Sequence, residues 1–150
     1  MLIQRQPNRW SCLPTAFAIA VEMPVAKIIE MLGHDGSRHV FPGAKRPEQS
    51  FHIMELSLLA LRLGYSMTPI FETQVTKNRE TGETFTHLLN LDSLIRGDLR
   101  DYRGIITGIF PGGPHAVAYE SGIIYDPNGA TYPLDSVIID IEQFWVIREA

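Results

Sequence analysis

The hydrophobic pattern of this chain changes its period near residue 64. Before that point, apolar residues recur every three or four positions, the spacing that places them on one face of an α-helix. After it, short apolar or alternating runs are separated by Pro and Gly, which is the pattern of strands joined by turns. This order predicts an α+β fold in which an N-terminal helical layer packs on a C-terminal, largely antiparallel sheet.

The first predicted helix covers residues 11–22. It contains the apolar run AFAIAV, which would be hydrophobic almost all round a helix, so we expect it to be central and buried. Ser11 is its predicted N-cap, because a serine oxygen can accept from one of the unpaired N–H groups of the first turn. Pro14 falls in that first turn, where a missing N–H costs little.

The remaining elements are predicted from the same two periods and from the turn residues between them. They comprise helices over residues 25–32, 50–63 and 87–97, the first two ending at Gly33 and Gly64, and strands over residues 66–72, 103–110, 115–120, 122–125 and 142–148. Residues 34–48 form a loop, residues 73–86 form a loop or an exposed hairpin, and Ser121-Gly122 makes a tight turn.

The composition is that of one ordinary globular domain spanning residues 1–150, with 45% hydrophobic and 20% charged residues. No apolar run of about 18 residues is present, and the N-terminus lacks the apolar region of a signal peptide. A net charge of −4 without a cluster of Lys or Arg argues against nucleic acid as a partner. We expect a cytoplasmic protein that binds neither nucleic acid nor membrane.

The chain has a single cysteine, Cys12. A lone cysteine excludes an internal disulfide and a Cys-rich zinc site, and it suits a reducing compartment. Cys12 lies at the start of the predicted buried helix, where backbone N–H groups and the helix dipole favour a thiolate. Taken alone, this position is as typical of a small core residue as of a nucleophile.

Two later residues complete a candidate catalytic set. His115 follows a turn rich in Gly and Pro at the start of a strand, where an imidazole can serve as base toward a thiol and as acid toward a leaving group. Asp126 ends the next strand across one hairpin, so its carboxylate should orient the imidazole. Taken alone, His115 and Asp126 are each as readily ordinary turn residues. Together with Cys12, in the order Cys, His, Asp, they indicate thiol chemistry.

The segments QPNRWSCLPTA, HAVA and YDP resemble the papain-like cysteine peptidases, most nearly the compact branch that includes the bacteriocin leader-processing peptidases. The resemblance extends from Gln6 to about Gly129 and implies a papain-like fold. One departure is Leu13, since the family often has Gly directly after the nucleophile.

The resemblance also implies a role for each candidate. Cys12 corresponds to the nucleophile, His115 to the acid/base and Asp126 to the residue that orients the imidazole. In this family a glutamine six positions before the nucleophile donates to the oxyanion. Gln6 has that spacing, and Gln4 is a second, weaker candidate.

These residues predict a cysteine hydrolase that cleaves a peptide, isopeptide or amide bond in a protein or peptide substrate. A deamidase or an acyltransferase would use the same residues. An alternative of another class is a binding or adaptor module that keeps the fold without the chemistry, for example one encoded by a mobile element and directed at a host protein.

Trp10 and Gly113 are the predicted substrate-binding residues. Trp10, two positions before the cysteine, either lines the substrate groove or packs against Pro114. The loop over residues 34–48 is predicted to border the cleft. Four residues invite a metal interpretation, but their spacing matches no strong zinc pattern, so we expect neither a metal nor a cofactor; they are His34, Asp35, His39 and His52.

Overall fold

A computed structural model describes residues 1–38, 48–71, 73–88 and 90–150, with the backbone alone at 73–75 and 87–88. The helices are α1 (Cys12–Ala20), α2 (Val25–Leu32), α3 (Ile53–Arg62) and α4 (Leu91–Arg96), with a 3-10 turn at Leu134–Ser136. The strands are β1 (Tyr65–Phe71), β2 (Thr73–Lys77), β3 (Thr84–Leu88), β4 (Gly104–Phe110), β5 (Gly113–Glu120), β6 (Ile123–Tyr125), β7 (Thr131–Pro133) and β8 (Asp140–Glu149).

Six of these strands form one sheet in the order β1-β8-β4-β5-β6-β7, and β2 and β3 form a separate hairpin. Every pairing is antiparallel, and the last strand, β8, lies between β1 and β4. The β5–β6 turn has Ser121 and Gly122 with φ of 51° and 84°, the left-handed values that a tight hairpin turn requires. The predicted α+β class and the predicted turn are therefore confirmed.

Helices cover both faces of the six-stranded sheet. On one face α1 packs across β5 and is buried from its third residue onward, with α2 and α3 beside it; this core includes Phe17, Ala18, Leu56, Ala116 and Trp145. On the other face α4 closes a second core, which includes Leu91, Ile95, Tyr119, Phe144 and Val146. The predicted N-terminal layer is present, and α4 adds a smaller layer opposite it.

Several elements are bounded differently from the sequence prediction: α1 ends at Ala20, α3 begins at Ile53 and β8 begins at Asp140. The helix predicted over residues 87–97 begins only at Leu91, because residues 87 and 88 pair with 74 and 73 at the end of β3. Asn90 marks the true helix start, its side-chain oxygen accepting from the Ser93 N–H at 3.0 Å. The strand β7 was not predicted, since three residues are too few to show a period.

Within the described residues, no single helix has the length and apolar character needed to cross a bilayer. The helices α1 and α2 meet that criterion only when taken together, and they are bent by 115° at their junction.

Candidate active site

Cys12 is the first residue of α1, and the turn before it is built around Asn8. The Asn8 side-chain oxygen accepts from the Trp10 N–H at 3.3 Å and from the Ser11 hydroxyl at 2.6 Å. Ser11 is the N-cap residue, as predicted, but its hydroxyl donates to Asn8 instead of accepting from the first turn, so the predicted capping hydrogen bond is absent. The uncapped helix N-terminus at Cys12 leaves backbone N–H groups for a developing anion.

His115 is the third residue of β5 and lies opposite Gly108 of β4. Its ring is half-buried and meets the Phe110 ring edge-on, with 5.4 Å between the ring centroids. The histidine therefore sits on a rigid strand end, as the sequence predicts, with one side against an aromatic ring.

Asp126 follows β6 directly and is almost fully buried, with 3% of its surface exposed. Its Oδ1 accepts from His115 Nε2 at 2.7 Å and from the Asn128 N–H at 2.9 Å. Its Oδ2 accepts from the Tyr132 hydroxyl at 2.7 Å. The structure thus brings the predicted histidine and aspartate into direct contact. With Nε2 directed at Asp126, Nδ1 is the ring nitrogen left for a thiol.

The protonated form of His115 is strongly favoured. Burial lowers its pKa, but the hydrogen bond to Asp126 and the interaction with the Cys12 side chain outweigh this and raise the pKa from 6.5 to about 9. An imidazolium held between a carboxylate and a thiol is the arrangement that a thiolate nucleophile needs.

The carboxylate of Asp126 stays ionised despite its burial. Burial raises the pKa of Asp126, but the hydrogen bonds from His115, the Asn128 N–H and Tyr132 hold it below its ordinary value. Burial and the adjacent carboxylate raise the pKa of Tyr132, so its hydroxyl remains a donor. Tyr132 was not identified from the sequence. In the structure it is the half-buried residue between the two exposed ends of β7.

Gln6 lies next to the turn that carries Asp126. Its backbone N–H donates to the Pro127 carbonyl at 2.7 Å, and the neighbouring Arg5 forms an isolated antiparallel β-bridge with Asn128. Its side-chain Nε2 donates to the Asn8 carbonyl at 2.7 Å. Because an amide nitrogen carries two hydrogens, the second remains for an oxyanion.

Gln4, the second candidate for this role, is committed elsewhere. Its Nε2 donates to the Met23 carbonyl at 2.7 Å, and its Oε1 accepts from the Val25 N–H at 2.8 Å. The side chain thereby satisfies the first N–H of α2, whose own N-cap residue, Pro24, supplies no capping side chain. Gln4 therefore lies at the α1–α2 junction, whereas Gln6 lies beside the turn that carries Asp126, and this difference in position favours Gln6 as the candidate oxyanion donor.

Trp10 is tied to the chain after α2. Its indole N–H donates to the Asp35 carbonyl at 2.9 Å, a contact that the sequence did not predict. Next to it, Arg9 donates to Gln49 at 2.7 Å. Asp35 and Gln49 thus contact the residues that precede Cys12. The loop predicted to border the cleft falls mostly on residues 39–47, which lie outside the described residues.

A cavity of about 430 Å³ borders the His115–Asp126 pair. Its lining comprises residues 110–114 of the β4–β5 turn together with His115, Asp126, Asn128, Tyr132 and Val137. Gly113 lies in this wall, whereas Cys12, Gln6 and Trp10 are not among the lining residues. A larger cavity of about 610 Å³ lies at the N-terminal segment and the α1–α2 junction, away from the pair.

His34 and His52, two of the histidines considered as metal ligands, form hydrogen bonds within the fold. His34 Nε2 bonds to Glu55, and His34 Nδ1 accepts from the Gly36 N–H at 3.0 Å. His52 caps α3, where it forms a capping box with Glu55. His39 lies outside the described residues. Among the residues that the structure does describe, no group of three or more His, Cys, Asp or Glu side chains could hold a metal ion.

Comparison with known proteins gives no relative: no protein-family model matches the chain, and no curated protein matches it. The interpretation of this site therefore rests on its residues and their geometry.

Proposed function

We propose that this protein is a cysteine hydrolase of the papain-like type that cleaves a peptide, isopeptide or amide bond. The observation that carries the proposal is the hydrogen bond of 2.7 Å between His115 and the buried Asp126, beside the only cysteine of the chain. A papain-like fold is part of the proposal. Its support is a buried helix that begins with Cys12 and packs on the antiparallel strand that carries His115.

The reaction follows from the positions of these groups. The Cys12 sulfur attacks the carbonyl carbon, and the oxyanion that forms meets the Cys12 backbone N–H and the second amide hydrogen of Gln6. His115 Nδ1 gives its proton to the leaving nitrogen, the C–N bond breaks, and a thioester remains on the sulfur. Water then attacks the thioester while His115 takes one of its protons, which releases the acid and restores the pair.

Asp126 acts through the imidazole and does not contact the reacting atoms in the proposed reaction. Its Oδ1 fixes His115 with Nε2 toward the carboxylate, and its negative charge stabilises the imidazolium. Tyr132 and the Asn128 N–H hold the carboxylate in turn. The imidazole therefore needs no reorientation when it receives or gives its proton.

The partner in this proposal is a protein or peptide substrate, and the location is cytoplasmic. The basis for the location is the lone cysteine, which must stay reduced to act as a nucleophile. An acyltransferase or a deamidase would use the same first step, with a different acceptor or a side-chain amide as substrate.

One observation favours a binding module that performs no chemistry. The Gln6 amide donates to the Asn8 carbonyl at 2.7 Å, so this side chain has a structural partner in the fold whether or not an oxyanion ever forms. In such a module the Cys–His–Asp set would contribute to the structure and to partner binding only.

A digest of a peptide library separates these functions. The full chain is incubated with peptides derived from a cell lysate, beside Cys12→Ala, and new peptide termini are identified by mass spectrometry. The hydrolase produces termini that are absent with Cys12→Ala. Identical product sets from the two proteins, with neither new termini nor a Cys12-dependent change in peptide mass, would contradict hydrolysis and favour the binding module.

A further inference from the structure

The cavity beside His115 lies on the side of the site where the leaving group departs. In the proposed reaction the acyl half of the substrate is bonded to Cys12, with its oxygen toward Gln6. The leaving nitrogen is beside His115, because it receives its proton from that ring. The cavity is bordered by His115 and Asp126 but by neither Cys12 nor Gln6. It is therefore reached by groups attached to the leaving nitrogen.

The walls of this cavity are suited to an apolar group. Phe110 is 7% exposed and packs its ring against His115, and Val137 packs against the second core. Two prolines of the β4–β5 turn, Pro111 and Pro114, supply further apolar surface. A hydrocarbon side chain placed here would lose its exposure to water and gain contacts on several sides.

The charged groups of the cavity and the Tyr132 hydroxyl have partners, and the Asn128 side-chain oxygen accepts from the Ala130 N–H at 2.8 Å. The two charged lining residues, His115 and Asp126, neutralise each other, and both carboxylate oxygens accept hydrogen bonds. The Tyr132 hydroxyl donates to that carboxylate. A charged side chain that entered would lose its hydration without gaining a counter-charge among the lining residues, which is unfavourable.

We infer that this cavity binds an apolar side chain of the substrate, and that the enzyme selects peptides with an apolar residue directly after the bond it cuts. The inference rests on the proposed function. Occupation of the cavity should also raise the rate of cleavage, because a side chain that fills the cavity excludes water from the His115–Asp126 hydrogen bond. Binding energy from the leaving group should then appear in kcat as well as in KM.

The peptide digest described above gives the first test. Among the termini that depend on Cys12, the first residue of the released C-terminal fragment should be enriched in Leu, Ile, Val, Phe and Met. A synthetic peptide pair that differs only there, Leu against Lys, should differ by at least about tenfold in kcat/KM, within the range typical of an apolar pocket.

A matched pair of variants then assigns the preference to the cavity. Val137→Asp places a carboxylate in the wall, whereas Ile138→Asp places one on the neighbouring residue, which is 92% exposed and outside the lining. The Leu/Lys ratio, measured within each variant, should fall severalfold in Val137→Asp and stay at the wild-type value in Ile138→Asp. Using a ratio removes any loss of folded protein from the comparison.

The outcomes distinguish this inference from the function on which it rests. Cys12-dependent cleavage without an apolar preference at that position, or a preference that Val137→Asp leaves unchanged, would overturn the inference and leave the hydrolase intact. Absence of Cys12-dependent cleavage would overturn both.

Discussion

Asp126 is the residue on which the hydrogen bonds of the site converge. Three donors meet its two oxygens, namely His115 Nε2, the Asn128 N–H and the Tyr132 hydroxyl. A carboxylate with 3% exposure has little access to water, so these donors replace its hydration. The orientation of the His115 imidazole is thus set by a buried carboxylate that is itself held by two further donors.

Tyr132→Phe tests this arrangement. Loss of a hydrogen bond to a charged group costs about 1.5–3 kcal/mol. If that cost falls on the transition state, kcat/KM drops by about ten- to hundredfold. The carboxylate also loses a group that lowers its pKa, so the acidic limb of the pH–rate profile should move to higher pH.

Tyr125→Phe is the control, because it removes the hydroxyl of a half-buried tyrosine next to Asp126 in sequence and leaves the Tyr132 hydrogen bond in place. A Tyr132→Phe enzyme with the wild-type rate and an unmoved acidic limb would exclude a positioning role for Tyr132.

The two candidate glutamines predict opposite phenotypes. Gln6→Ala removes an oxyanion donor and should lower kcat by about 10²–10³ with little effect on unfolding. Gln4→Ala removes two hydrogen bonds at the α1–α2 junction and should lower the unfolding free energy by about 1–2 kcal/mol with nearly unchanged kcat. Steady-state kinetics and denaturant unfolding of both variants give the comparison. The reverse pattern would assign the oxyanion role to Gln4.

At the scale of single elements, the position of His115 depends on how β4 meets its two neighbours. Gly108 of β4 lies opposite His115 of β5, and the register of β4 against β8 shifts between Thr107 and Gly108. A Cβ at Gly108 would lie 2.2 Å from the Asp140 carbonyl oxygen. Only a residue without a side chain allows the two backbones to approach this closely.

Gly108→Ala should therefore destabilise the protein. Relief of the contact requires β4 and β8 to separate, at a cost of about 1–3 kcal/mol in unfolding free energy. Gly112→Ala is the matched control in the adjoining turn, since a Cβ there meets no atom within 4 Å. Equal denaturation midpoints for the two variants would show that the close approach does not constrain the sheet.

The elements that the sequence predicts well are those with a local signal. The helix α2 has the predicted bounds because four apolar residues share one face and Gly33 stops it with φ of 82°. The change of period predicted the fold class. One short hairpin predicted the contact between His115 and Asp126. By contrast, the contact between Tyr132 and Asp126 depends on the pairing of β7 with β6, a strand of three residues that has no pattern of its own.

Hydrogen bonds at both ends of α1 tie the helix or the segment before it to residues that adjoin the six-stranded sheet. Near its N-terminus, the Gln6 N–H bonds to the Pro127 carbonyl at 2.7 Å. At its C-terminus, Arg103, the residue directly before β4, donates to the Ala20 carbonyl at 2.9 Å and pairs with Glu120 of β5. A cation is favourable at that end of a helix. These ties hold Cys12 in place relative to His115, although the two residues are far apart in sequence.

The stability of the whole fold should depend on pH through the His115–Asp126 pair. The pKa of His115 is raised from 6.5 to about 9, so its stabilising contribution is complete below pH 6.5 and is lost as the pH rises through 9. The pKa of Asp126 is lowered, so its contribution is present above about pH 4 and is lost as the pH falls below its folded-state value.

The difference in unfolding free energy between the wild type and His115→Gln should therefore be largest near pH 5.5 and shrink steadily toward pH 9.5. Denaturant unfolding of both proteins at pH 5.5, 7.5 and 9.5 measures it. A difference that grows with pH would contradict the direction assigned to the His115 pKa.

Alkylation of Cys12 tests most directly whether His115 activates the thiol. Iodoacetamide reacts with the thiolate, so its rate from pH 4 to 9 reports the ionised fraction of the only cysteine. We expect the wild type to be alkylated several times faster than His115→Ala at pH 6, because an adjacent imidazolium stabilises the thiolate. Equal alkylation rates in the two proteins would contradict the pair.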